Sequence, residues 1–222
     1  MEHPIRIMAT TAALLVGGVL TAGCAAPEPL PEVTQGARPT SAPATVSTEP
    51  QAPKDAKAAA PSGASLGGPG TACALPVSFA LAEKWKAEAV EDPENPEFAA
   101  LTRQGPATVR CEVDAKPAGH VGYLRVWTAE KGPARAALEG FMKAEEKATA
   151  VTYRETKAGA LPATEVTYTV ANEAMGDPKD ERAFAVSTPK GTVIVHLGGL
   201  DTAEHRAMLP AYELAKSTAK AL

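Results

Sequence analysis

Between Ala25 and Gly70 the sequence contains no aromatic residue, and that gap fixes where a core can form. The stretch, AAPEPLPEVTQGARPTSAPATVSTEPQAPKDAKAAAPSGASLGGPG, is dense in Pro, Ala, Ser, Thr and Gly. It buries too little apolar surface to offset the entropy of ordering it, so residues 24–70 read as a disordered tether behind Cys24. A Gly-rich chain of that length spans roughly 40 Å, and full polyproline extension roughly 140 Å. Every Trp, Tyr and Phe lies in Thr71–Leu222, about 150 residues, the size of one domain. Charges of both signs are interspersed there, which argues against nucleic acid as a partner.

Residues 1–23 read as a secretory signal, with Arg6 leading into IMATTAALLVGGVL. At about 14 residues this apolar run is shorter than the about 20 that a membrane-crossing helix needs. Glu2 offsets Arg6 and no twin-Arg pair is present, which favours the general secretion route. Leu20-Thr21-Ala22-Gly23, ahead of Cys24, resemble the bacterial lipobox, with the Leu one place upstream of its commonest position. Cys24 is thus the expected lipidation site; the competing reading is a secreted protein with an unpaired cysteine near its new terminus. One acyl chain holds a membrane marginally, while two or three hold it stably. The expected location is the outer face of the cytoplasmic membrane, with the domain in the cell envelope.

With Cys24 lipidated, Cys73 and Cys111 remain as an even pair in an oxidising compartment. A disulfide between them closes a loop of about 39 residues and stabilises by roughly 4 kcal/mol on chain-entropy grounds. The alternative is a pair of buried free thiols. Two distant cysteines without a neighbouring His make no zinc spacing.

The hydrophobic periods give the fold class. PVSFAL, KWKAEAVE, ATVRCEVDA and HVGYLRVWT read as strands, with a helical turn at 94–103 and a turn at KPAG. GPARAALEGFMKAEEKA changes period: Ala134, Leu138, Phe141 and Met142 share a face, Pro133 suits the first turn, and Lys143 and Lys147 suit the last. AVTYRET, ATEVTYTVA, RAFAVSTP and TVIVHLG follow as strands. A helix starts after Asp201, with Pro210 expected to kink it or to end its first turn early. The order predicts an α+β domain over 71–222, an antiparallel β-sheet covered by helices.

This order, with VSFALAEKW at its start, LPATEVTYTV and ERAFAVSTPKGTVIVHL in its meander and a C-terminal helix, resembles actinobacterial lipoproteins of the LpqN type. Phe79 and Trp85 stand where those proteins carry an aromatic pair, and Ala82 replaces their usual Pro. The resemblance covers most of residues 75–222. It implies a PsbP-like α/β/α sandwich and a noncatalytic surface module that binds partners or apolar ligands, with no shared catalytic residues.

The residues themselves spell out no reaction. GxSxG, P-loop, HExxH and CxxC patterns are absent, and Ser187 and Ser217 have no local partner for nucleophilic chemistry. His120 reads as a turn residue and His205 as a helix residue. His196, out of phase with Val195 and Leu197, reads as a partly exposed strand residue. EDPENPE at 91–97 and GDPKDE at 176–181 lack calcium-loop spacing and read as solvated turns. Neither metal nor cofactor is expected. Tyr123, Arg125 and Trp127 alternate on one face of a strand and are the candidate binding surface, having the composition of binding hot spots; packing under a helix is the competing reading. The expected function is a membrane-anchored, nonenzymatic binding or accessory module with an envelope protein as partner. A carrier of a lipid or small apolar ligand, which needs a cavity of several hundred Å³, and an envelope hydrolase are the alternatives. His196 in a cleft beside a carboxylate and a hydroxyl would favour the hydrolase.

Overall fold

The computed structural model describes residues 59–173 and 175–222, which belong to one compact unit. The expected signal peptide, Cys24 and most of the expected tether lie outside the described residues. In chain order the elements are β1 (Ser62–Leu66), β2 (Val77–Ala82), β3 (Lys86–Ala89), a 3-10 turn (Pro96–Thr102), β4 (Arg103–Gln104), β5 (Ala107–Asp114), a 3-10 turn (Lys116–Ala118) and β6 (Gly122–Ala129). They continue with α1 (Ala134–Lys143), β7 (Ala148–Ala158), β8 (Leu161–Val170), β9 (Lys179–Thr188), β10 (Gly191–Gly199), α2 (Thr202–Thr218) and β11 (Lys220–Ala221).

The strands form an eight-stranded sheet ordered β3-β5-β6-β10-β9-β8-β7, with β4 beside β5, and a three-stranded sheet ordered β1-β2-β11. All these pairings are antiparallel, so the domain is of the α+β class. β9 and β10 are apolar on both faces because both are covered. On one face Val126, Phe184, Val186, Val193 and Val195 pack with α2 and with Val77, Phe79 and Trp85 of the small sheet region. On the other, Trp127, Val166, Ala185 and Ile194 pack with Leu138 and Phe141 of α1. The order is therefore α1, large sheet, then α2 with the small sheet.

Two expectations are corrected. The domain begins before residue 71: SGASL, which has tether-like composition, pairs with β2 as β1 and buries Leu66. The backbone supplies this strand, since an extended neighbour offers hydrogen bonds to any non-proline chain. The helix expected over 132–148 ends at Lys143, with Pro133 as its N-cap; Lys147 lies beyond it and pairs with Glu173. Ala148 already starts β7.

Cys73 and Cys111 form a disulfide with Cα atoms 5.9 Å apart. It ties the loop between β1 and β2 to β5, joining the two sheets. Pro210 is accommodated within a continuous α2, which Asp201 caps by accepting from the Glu204 N–H at 2.8 Å.

Candidate functional site

Alternation in β6 puts Tyr123, Arg125 and Trp127 on the α1 face, with Leu124 and Val126 opposite. α1 has only ten residues, about 15 Å, and leaves one end of that face uncovered. Trp127 lies in the covered part, 5% exposed, edge-on to Phe141 with ring centroids 5.4 Å apart. The expected three-residue surface is thereby corrected: Trp127 is core, and Tyr123 and Arg125 remain at the open end.

The Tyr123 ring lies down on the sheet because residue 198 is Gly; a Cβ there would come within 2.7 Å of the ring. The Arg125 guanidinium stacks 4.1 Å from the ring centroid, and its Nε donates to Glu112 at 2.7 Å. Burial raises the Tyr123 hydroxyl above its ordinary pKa. Beside the ring runs an open groove of about 360 Å³, bordered by Lys86, Glu88 and Asp114 and by Val121 and Leu200. Cation, anion, aromatic ring and apolar rim thus meet at one place.

Behind Tyr123 lies a buried polar cluster. His196 is 6% exposed, not partly exposed as its strand position implied, because α1 brings Phe141 to 5.9 Å from its ring. Its Nε2 lies 2.9 Å from Glu181 and 3.1 Å from the Tyr168 hydroxyl. Tyr168 also donates to Glu181 at 3.2 Å, and Lys179 pairs with it at 2.6 Å. Burial works against the Glu181 charge, but His196 and Lys179 outweigh it and hold the carboxyl at about 2. Burial and the Glu181 charge push the Tyr168 phenol well above its usual value.

Chemically, this arrangement gives His196 a carboxylate and a hydroxyl, the neighbours a hydrolase reading called for. The hydroxyl, however, is a phenol held firmly protonated, and the carboxylate is already shared by a lysine. The cluster rigidifies the floor under Tyr123.

Sequence reasoning missed Tyr168, Lys179 and Glu181, and placed Glu181 in a solvated turn; it is 5% exposed. One signal was available. ERAFAVST is apolar at Phe184 and Val186 and small at Ala183 and Ala185, so both faces are covered, and Glu181 is in phase with the Ala183 face. Among the described residues no group of three or more His, Cys, Asp or Glu is arranged to hold a metal.

Residues 43–219, most of the sequence, match the family described as uncharacterised lipoprotein. The chain belongs to this lipoprotein family. Membership places this lipoprotein among membrane-associated envelope proteins, which agrees with a structural disulfide. No curated protein matches this lipoprotein. The matched region runs from before β1 to the end of α2, so the residues of the groove, the buried cluster and the disulfide lie within it.

Proposed function

We propose that this lipoprotein is a nonenzymatic binding or accessory module of the cell envelope. A diacylglyceryl group on Cys24 holds it at the outer face of the cytoplasmic membrane, and the domain docks an envelope protein at the groove beside Tyr123. The observation that carries the reading is the uncovered end of the large sheet, where Tyr123 and Glu112 border that groove and Arg125 stacks on the Tyr123 ring and bonds Glu112 behind it. Aromatic and Arg side chains at a preorganised site are what protein partners use as anchors. The LpqN-type, PsbP-like reading of the fold is supported by the three-layer order and by Phe79 and Trp85, which pack in one core.

Carrying an apolar ligand is the weaker reading, because both described core clusters are filled by side chains and the groove is partly charged. The test is gentle purification of the anchored protein from its own membranes with chemical crosslinking, followed by mass spectrometry of joined proteins and retained lipid. A specific crosslinked envelope protein, lost on Tyr123→Ala with Arg125→Ala, is the expected result. A stoichiometric lipid without a protein partner would replace this reading with the carrier.

A further inference from the structure

The two halves of α2 are held in different ways, and Pro210 separates them. Lacking an N–H, Pro210 leaves the Arg206 carbonyl without its usual intrahelical partner, which weakens the coupling between the halves. The second half is clamped by Tyr212 and Lys216, which donate to Glu165 at 3.0 and 2.8 Å. The first half rests on Met208, packed over Gly122 and Gly199, on Thr202, whose hydroxyl accepts from the Asp180 N–H at 3.0 Å, and on His205.

His205 is 2% exposed and its Nδ1 has no hydrogen-bond partner. Its surroundings do not suit an imidazolium. It sits in the first turn of α2, at the positive end of the helix dipole. Arg182 of β9, with its own Nε unpartnered, adds a repelling charge, as does His196 of β10 when protonated. Asp180 and Glu181 of β9 attract it, but Asp180 faces Arg206 at 3.6 Å and Glu181 is bound by Lys179 and His196.

We propose that the first half of α2, Thr202–Leu209, is an acid-sensitive flap hinged at Pro210, closed on the sheet by neutral His205 and opened when that imidazole takes up a proton. Burial and Arg182 depress the closed-state His205 from 6.5 to about 4, whereas an open, solvated His205 titrates near 6.5. The unfolded or open form therefore binds more protons between these values. Closure is fully favoured above pH 6.5 and loses ground as pH falls to 4. The open population is expected to rise about 30-fold between pH 7.5 and 5.0. His120 faces the flap from the loop before β6, 3.3 Å from Glu204. Glu204 also accepts from the Val121 N–H at 3.3 Å, and Asp201 follows Leu200, so opening reshapes the groove rim. The flap itself stands without the binding reading.

Hydrogen exchange of the full chain at pH 7.5 and 5.0, corrected for chemical exchange, tests the proposal. Peptides within 202–209 should open about 30-fold more at pH 5.0, with a much smaller change within 211–218. His205→Gln should remove most of the difference. An equal response in both halves, or none in the first, overturns the flap. An independent arm needs no variant: the His205 imidazole, followed by NMR in the unaltered chain, should titrate well below 6.5, and a midpoint at or above 6.5 overturns the proposal.

Discussion

Two buried glutamates, one on each face of the large sheet, are satisfied by different kinds of partner. Glu165 of β8 faces α2 and takes Tyr212 and Lys216 from the helix and Arg154 from β7. Glu181 of β9 faces the α1 side and takes Tyr168, Lys179 and His196, all from the sheet. The first network crosses between layers and pins a helix over its face. The second closes on itself within one layer, needs nothing from α1, and leaves the end of its face open for the groove. Both carboxyls are held below their ordinary range, with burial opposing and their partners prevailing.

The largest expected break in this contrast is Glu165→Ala, which leaves the Tyr212 hydroxyl unpaired and the Lys216 charge with only the more exposed Glu213, and should cost about 3–4 kcal/mol in urea denaturation. It should loosen α2, seen as faster exchange over 211–218, whereas Glu181→Ala should leave that segment protected. Equal loosening by both variants would erase the distinction. Next, Cys73→Ser with Cys111→Ser should remove up to about 4 kcal/mol, read from the denaturation midpoint, and less if the reduced chain keeps residual structure.

The acid response comes third. Glu181 keeps its charge well below the unfolded value of 4.5, so its contribution is complete above 4.5 and disappears as pH falls toward about 2. That contribution is on the order of 3 kcal/mol, and Glu181→Gln should make the stability profile shallower across this window. The smallest effect on stability, about 1–2 kcal/mol, is expected for Tyr123→Ala with Arg125→Ala, since both side chains are partly solvated. Their loss should nevertheless abolish the partner crosslink. A large stability loss with crosslinks intact would make the open end part of the scaffold.

Much of the architecture was legible because alternation and helical period survive in single segments. LRVW, VIVH and AALEGF each show their covered faces. β1 was hidden because Ser62, Gly63, Ala64 and Ser65 carry no apolar period; their pairing comes from the backbone of β2. The end of α1 was misread because Lys147 resembles a last-turn cation, yet it serves a pair with Glu173 across a loop. The polar cluster escaped notice for a different reason. Tyr168, Glu181 and His196 are separated by 13 and 15 residues, and only the register of three strands brings them together. The candidate stripe was half legible: alternation placed Trp127 with Tyr123, but the length of α1 decided which of them is covered.

The disulfide has a mechanical consequence. A pull applied from the N-terminal side would first strip β1 from β2, because little but backbone pairing and Leu66 secures that strand. Extension then stops at Cys73, where a covalent bond passes tension straight to Cys111. Cys111 lies in β5, next to Glu112, the residue that holds Arg125. Force applied from that side would thus reach the groove through one sulfur bridge and a single strand, bypassing most of the core, while the edge strand unravels.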